Sequence, residues 1–188
     1  MALMHTPVCN FGEAAKPFQL KGIDGKSYTL EDARGPAGTL VMFICNHCPY
    51  VKSIVDRLVR DAEALQAKGI GVIAVMSNDA EAYPEDSFEN MQKFAEKNGF
   101  TFPYVIDEMQ EVAKAYDAVC TPDFFGYNKD MELQYRGRLD ESEKEPAASN
   151  ATRELYDAMS QVAETGHGPQ DQTPSMGCSI KWKQEKAA

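Results

Sequence analysis

The sequence lacks the features that would place the protein in a membrane, on nucleic acid or around a nucleotide. No apolar run in its 188 residues approaches the ~20 residues needed to cross a bilayer. Basic residues are scarce, with 19 Lys and Arg against 29 Asp and Glu, so the net charge is −10. Because an acidic surface repels phosphate, nucleic acids and anionic membranes are excluded as general partners. The sequence also has no glycine-rich loop of the kind that cradles a phosphate.

Targeting signals and repeats are also missing. Residues 1–18 lack a basic segment and a continuous apolar segment, so we expect no secretory signal and a cytoplasmic location.

The length predicts a single domain over 1–188, with a core over about 10–165. Residues 166–188 show no periodicity, which predicts an irregular C-terminal tail, although Met176, Ile180 and Trp182 make it more apolar than a purely solvated segment.

A buried strand, a CxxC motif and a helix follow one another near the middle of the chain. Leu40 to Ile44 form a short apolar run bounded by turn signals, which is typical of a strand buried on both faces. The run leads directly into Cys45-Asn46-His47-Cys48. Apolar residues then recur every three or four positions, which predicts an amphipathic helix over 49–67. Residues 71–76 form another apolar strand, so the motif lies in a βαβ unit.

The remaining periodicity predicts further elements on both sides of this unit. An Asp24-Gly25 turn predicts a hairpin over 18–30. The other expected elements are a helix over 88–99, a strand over 102–106, a helix over 108–116, a hairpin over 124–138 and a helix over 152–164. The acidic stretch 81–89 lacks the spacing of a calcium loop, so we interpret it as a solvated face.

Cysteine usage is the first pointer to chemistry. The five cysteines are an odd number in a chain large enough to fold without disulfides, which favours reactive or metal-binding thiols. At the start of a helix, unpaired N–H groups and the macrodipole favour the thiolate, and a protonated His47 adds positive charge. We therefore expect a lowered pKa at Cys45, with Cys45 as the exposed, attacking sulfur and Cys48 as the resolving one.

The other cysteines and a metal site are alternatives. Cys120 is a third redox thiol, a metal ligand or a small buried apolar side chain. Cys178 is either a resolving thiol brought back by the tail or part of a disordered terminus. Because His47 and Cys48 are adjacent and no second CxxC completes a four-ligand set, we predict no bound metal and no other cofactor.

At this point the residues resemble the thioredoxin superfamily, and within it the peroxiredoxin-like AhpC/TSA branch with a CxxC motif. The tail Gly177 to Lys183 is similar to the ending of an uncharacterised peroxiredoxin-like subfamily. The segments that carry the resemblance are Gly12 with Phe18-Gln19-Leu20 and Asp24-Gly25-Lys26, Phe43 to Tyr50, Asp107 to Tyr116, and Thr121 to Phe125 with Tyr135 to Arg138.

The resemblance implies a thioredoxin-like α/β fold, with a mixed central sheet flanked by helices and an extra N-terminal β-hairpin. Cys45 and Cys48 match the redox pair, Pro122 matches a cis-proline facing it, and Thr121 precedes that proline. Asn46 and His47 lie between the cysteines, and a His before the second cysteine is similar to strongly oxidising DsbA-type enzymes.

The implied activity is thiol–disulfide exchange with protein or small-molecule disulfides and thiols. The implied reductant is a thiol system such as thioredoxin or glutathione, and the implied role is antioxidant defence and cell redox homeostasis. The oligomeric state is not predicted.

Departures from the family leave two alternatives open. A peroxidase with Cys45 as the peroxidatic thiol lacks the threonine three residues before the cysteine, and Arg136 or Arg138, expected on a solvated strand, would have to activate peroxide. The other alternative is a non-enzymatic carrier of a metal or iron–sulfur cluster. The strand before the motif contains no acidic residue, so the proton acceptor for Cys48 is unidentified.

Overall fold

The chain forms a mixed seven-stranded sheet and a separate three-stranded sheet in a computed structural model that describes residues 2–184. In chain order the elements are β1 (Leu3–His5), β2 (Gln19–Gly22), β3 (Ser27–Thr29), α1 (Leu30–Ala33), β4 (Gly38–Phe43), α2 (Pro49–Lys52), α3 (Val55–Gln66), β5 (Ile70–Met76), a 3-10 helix (Pro84–Asp86), α4 (Phe88–Asn98), β6 (Tyr104–Ile106), α5 (Glu111–Ala115), β7 (Cys120–Thr121), β8 (Asp123–Tyr127), β9 (Leu133–Tyr135), α6 (Glu154–Thr165) and β10 (Met176–Ser179).

The large sheet has the strand order β3-β2-β6-β5-β4-β8-β9. Strand β5 pairs in parallel with β4 and β6, whereas the outer pairings are antiparallel. Strands β2 and β3 are the expected hairpin, which joins the sheet through β6. All six residues of β4 are buried, as its unbroken apolar run predicts. The expected mixed central sheet is therefore confirmed.

Helices cover both faces of this sheet and give it two apolar cores. Leu40 and Met42 face a core that includes Leu58 of α3 and Met159 of α6. The alternate residues of β4, such as Val41, face the other core with α1 and α5. This alternation is the period of two in an extended strand. The CxxC motif begins two residues after the end of β4, and both of its cysteines belong to the first of these cores.

The helix predicted over 49–67 is two helices. Helix α2 is a single turn, and α3 begins only after Ser53 and Ile54. The Ser53 hydroxyl donates a hydrogen bond to the carbonyl of Glu143, 2.5 Å away, so a distant loop holds the chain at the break. Because α2 is so short, a long helix macrodipole does not act on the cysteines.

The expectation of an irregular C-terminal tail is wrong where the tail forms β10. This strand pairs with β1 on one side and β7 on the other, in the order β1-β10-β7. The partners are sequentially remote, so the sequence pattern of the tail alone could not reveal the strand. Among the residues that the structure describes, no helix has the length and apolarity required to span a bilayer.

Candidate active site

The two cysteines of the motif lie against one residue of β7. The Sγ of Cys45 is 3.4 Å from the hydroxyl oxygen of Thr121, and the Sγ of Cys48 is 3.2 Å from the carbonyl oxygen of the same residue. Thr121 and Pro122 are joined by a cis peptide bond, as the family resemblance implies. Cys48 is also the N-cap of α2, with Pro49 in the first turn. The structure thus brings the cysteine pair next to Thr121 and Pro122, as the family resemblance implies.

Neither sulfur-bearing residue is open to solvent. Cys45 is 1% exposed and Cys48 is fully buried. The expectation that Cys45 is the exposed sulfur is therefore wrong in this structure. Helix α2 packs against β10, so the C-terminal strand contributes to the cover over the pair.

The thiolate of the pair is favoured at Cys48. A hydrogen bond from the Cys45 thiol, with further hydrogen bonds from Cys178 and the N–H of Val51, lowers the pKa of Cys48 to about 5. The carbonyl of Thr121 opposes this because it accepts a hydrogen bond only from a protonated thiol. The hydrogen bond with Cys48 and burial raise the pKa of Cys45 well above its ordinary value. The predicted lowering at Cys45 is therefore wrong, and hydrogen bonds place the charge on Cys48 instead.

The residues between the cysteines are held by Asp86. The backbone N–H of Asn46 donates to Asp86 Oδ1 at 2.8 Å, and Nδ1 of His47 is 2.7 Å from Asp86 Oδ2. The Asn46 side chain also accepts a hydrogen bond from Tyr104 Oη at 2.9 Å. The hydrogen bond with Asp86 raises the pKa of His47, although partial burial works against the charged ring. The carboxylate of Asp86 thus fixes the two residues between the cysteines.

Sequence reasoning missed Asp86, which is fully buried although it lies in the acidic stretch interpreted as a solvated face. That interpretation is wrong at this position because three donors surround the carboxylate: the two groups already named and the Asn78 side chain at 2.9 Å. The local sequence carries no signal for this burial, since Asp86 lies 39 positions after His47.

A metal ion would have an incomplete set of ligands at this place. Cys45, His47 and Asp86 offer ligand atoms within 4.8 Å of one another. They are one ligand short of the tetrahedral set of a structural zinc site within the described residues. The Asp86 carboxylate is already used by hydrogen bonds, so an ion would have to displace them.

Two further cysteines lie close to the pair, and a third does not. The Sγ of Cys178, on β10, is 3.1 Å from the Sγ of Cys48. Cys120 is completely buried with its Sγ 3.5 Å from the carbonyl oxygen of Pro122. Burial raises the pKa of Cys120, as expected for an apolar, unreactive side chain. Cys9 is half-buried, and burial raises its pKa to about 11.

The two arginines considered for peroxide activation are both paired with carboxylates. Arg136 is buried, not on a solvated strand as expected, and its Nη2 lies 3.1 Å from Asp123 Oδ2. Arg138 forms a 2.7 Å ion pair with Glu154. Burial raises the pKa of Asp123 to about 6, while Arg136 counteracts that rise. Both guanidinium groups therefore stabilise the fold through carboxylates.

Comparison with known proteins finds sequence similarity to a redox protein. A curated relative, the thiol–disulfide oxidoreductase ResA of Geobacillus thermodenitrificans, is 29% identical over 123 residues, which span 65% of this chain and 66% of the relative. The chain thus spans just under two thirds of that relative's length.

Two solved structures establish the likeness of the fold. An uncharacterized conserved protein of Geobacillus kaustophilus is 46% identical, covers 99% of each chain and superimposes with a TM-score of 0.91. The thioredoxin domain of a thiol-disulfide oxidoreductase from Bacteroides vulgatus is 20% identical, with a TM-score of 0.56 over 67% of this chain and 86% of that one. The thioredoxin-like fold is therefore confirmed.

The family follows from the extent of the sequence match. The model of the AhpC/TSA family matches residues 11–136. This match spans more than half of the chain and contains the cysteine pair and the cis-proline that faces it. The chain belongs to the AhpC/TSA family.

Proposed function

We propose that the protein is a thiol–disulfide oxidoreductase that works by dithiol–disulfide exchange at Cys45 and Cys48. One observation carries the proposal: both sulfurs contact the same residue, Cys45 at the hydroxyl and Cys48 at the carbonyl of Thr121. This arrangement holds two thiols side by side, where they can share one disulfide. The curated relative is also a thiol–disulfide oxidoreductase.

In the proposed reaction the partner is bonded to Cys45. When the protein acts as oxidant, a substrate thiolate attacks Cys45 of the disulfide, and Cys48 leaves as a thiolate. A second substrate thiol then releases the product disulfide and the reduced protein. In the opposite direction, Cys45 attacks a substrate disulfide and its proton passes to the substrate sulfur that leaves. The Cys48 thiolate then attacks Cys45 of the mixed disulfide and releases the second substrate sulfur as a thiolate.

The lowered pKa of Cys48 supports its role as the leaving and resolving sulfur. A thiol with a low pKa leaves faster from a disulfide, because its thiolate is stable. At neutral pH the Cys48 thiolate is already formed, so it can attack a mixed disulfide without waiting for a base. The same stabilisation of the reduced form makes the protein an oxidant.

The test is disulfide mapping by mass spectrometry after reaction with oxidised glutathione, combined with a turnover assay. We expect the wild type to form the Cys45–Cys48 disulfide. Cys48→Ser should accumulate glutathione on Cys45, and Cys45→Ser should lose turnover. Cys9→Ser is the matched control, because Cys9 packs against one core and the pair belongs to the other, and it should behave like the wild type.

Two outcomes would count against the proposal. If the wild type forms no Cys45–Cys48 disulfide, the exchange function is wrong. If glutathione accumulates on Cys48 in Cys45→Ser while Cys48→Ser turns over normally, the function stands but the roles of the two sulfurs are reversed.

A second candidate is a thiol peroxidase with Cys45 as the peroxidatic thiol. The observation in its favour is the Thr121 hydroxyl, 3.4 Å from the Cys45 sulfur, which supplies from another strand a hydroxyl that the local motif lacks. This candidate predicts a fast, saturable loss of thiols with hydrogen peroxide, whereas slow loss supports exchange.

The cytoplasmic location and the antioxidant role stay predictions. Cell fractionation tests the location, and the peroxide assay tests the antioxidant role.

A further inference from the structure

The C-terminal strand holds a third thiol against the redox pair. The Sγ atoms of Cys48 and Cys178 are 3.1 Å apart, so a movement of about 1 Å would bring them to the length of a disulfide bond. Cys178 is only 5% exposed. The contact joins positions that are 130 residues apart in the chain, and it is therefore a product of the tertiary structure.

Hydrogen bonds on both sides of Cys178 keep it in this position. Before it, the Ser175 hydroxyl donates to the carbonyl oxygen of Pro122 at 2.8 Å. After it, the backbone N–H of Lys181 donates to the Asn78 side chain at 2.9 Å, and that side chain in turn donates to Asp86. The tail is thus tied to the cis-proline and to the carboxylate that orients the motif.

The strand pairing of the small sheet also positions Cys178 beside the redox pair. Cys178 is paired with Thr121 of β7, the residue that both sulfurs of the pair contact. A Cβ on Gly177 would lie 1.9 Å from the carbonyl oxygen of Thr121, so only a glycine permits this close approach.

We propose that Cys178 is a third redox thiol that accepts the disulfide from the Cys45–Cys48 pair. This proposal rests on the proposed exchange function. The Cys178 sulfur attacks Cys48, the bond between Cys48 and Cys178 forms, and the bond between Cys48 and Cys45 breaks. The proton lost by Cys178 is taken up by Cys45 as it leaves, so no external oxidant or reductant is consumed.

The exchange has a direct consequence for the cycle. Cys48 remains oxidised in both disulfides, because it is the sulfur shared by the two bonds. Cys45 returns to the thiol form and can engage a further partner while the oxidising equivalent is stored between Cys48 and Cys178. In the fully reduced protein, burial and the neighbouring Cys48 raise the pKa of Cys178 to about 12, so Cys178 is a protonated thiol at neutral pH.

The experiment is a two-electron oxidation with oxidised glutathione, followed by acid quenching, alkylation and peptide mapping. We expect the one-disulfide form of the wild type to be a mixture, in which some molecules carry the Cys45–Cys48 peptide and others carry the Cys48–Cys178 peptide together with alkylated Cys45. In Cys178→Ser, alkylation of Cys45 should be lost, because only the Cys45–Cys48 disulfide can form. Cys9→Ser is the control and should match the wild type.

A second variant keeps the test independent of how well Cys178→Ser folds. In Cys45→Ser, oxidised glutathione should produce an internal Cys48–Cys178 disulfide, and adding Cys178→Ser should leave glutathione on Cys48. If wild type and Cys178→Ser form the Cys45–Cys48 disulfide but no Cys48–Cys178 peptide is found in the wild type or in Cys45→Ser, the third-thiol role is overturned and the exchange function stands. If no Cys45–Cys48 disulfide forms at all, both fail.

Discussion

The reduction potential of the cysteine pair should change its dependence on pH near pH 5. The perturbation is pH itself, and the group that responds is Cys48, whose pKa is lowered from 9.0 to about 5. Below the pKa, reduction of the disulfide takes up two protons with two electrons, so the potential falls by about 59 mV per pH unit. Above it, Cys48 stays ionised, one proton is taken up, and the slope halves to about 30 mV per pH unit.

The magnitude at neutral pH follows from the same shift. At pH 7 the Cys48 thiolate exceeds the thiol by about a hundredfold, which corresponds to about 3 kcal/mol of stabilisation of the reduced form. For a two-electron couple this free energy raises the potential by about 60 mV relative to a pair with ordinary thiols. The sign is fixed because the ionised group exists only in the reduced protein, so ionisation makes the disulfide a stronger oxidant.

The assay is equilibration with a glutathione or dithiothreitol buffer from about pH 4 to about pH 8, with the thiolate followed by its ultraviolet absorbance. The bend in the potential and the midpoint of the thiolate titration should coincide. Cys178→Ala should move both to higher pH, since a hydrogen bond from Cys178 helps to lower the pKa of Cys48. A constant slope of about 59 mV, with a thiolate midpoint near the ordinary value, would refute the reasoning.

Three further predictions concern groups around the pair. Asp86→Asn should lower the pKa of His47, because the hydrogen bond and charge of Asp86 now raise it, and an NMR titration of the ring checks this. Arg136→Met should lower the free energy of unfolding by about 3–5 kcal/mol, because it leaves the buried Asp123 carboxylate without its partner, as urea unfolding would measure. Gly177→Ala should speed alkylation of the buried thiols, because its Cβ would meet a β7 carbonyl at 1.9 Å and push β10 away.

Matched variants give these predictions their controls. Glu85→Gln should shift the pKa of His47 less than Asp86→Asn does, because Glu85 acts on the ring only through its charge. Arg138→Met should cost about 1 kcal/mol or less, since its ion pair with Glu154 is partly exposed. Equal losses for the two arginine variants, or unchanged alkylation in Gly177→Ala, would contradict the packing described above.

Local sequence signals were sufficient wherever the structure depends on neighbours in the chain. The apolar run that became β4, the CxxC motif after it, and the hairpin around Asp24 were all predicted, and each is set by residues within a few positions of one another. The helix after the motif was predicted as one element, but a hydrogen bond from Ser53 to the distant Glu143 coincides with its division into two.

The burial and charge of the site depended on contacts between remote segments. Asp86 reaches His47 across 39 positions, and Cys178 reaches Cys48 across 130. These contacts turned an acidic stretch into a buried carboxylate and placed the thiolate on Cys48 instead of Cys45.

The sequence by itself determined that two thiols of this protein lie side by side, because two cysteines separated by two residues at a strand–helix junction are close in any fold that forms that junction. Only the tertiary structure decided which sulfur holds the charge and which third thiol lies next to the pair. The physical reason is that a pKa and a disulfide partner depend on the donors and sulfurs within a few ångströms, and folding brings those groups together from distant parts of the chain.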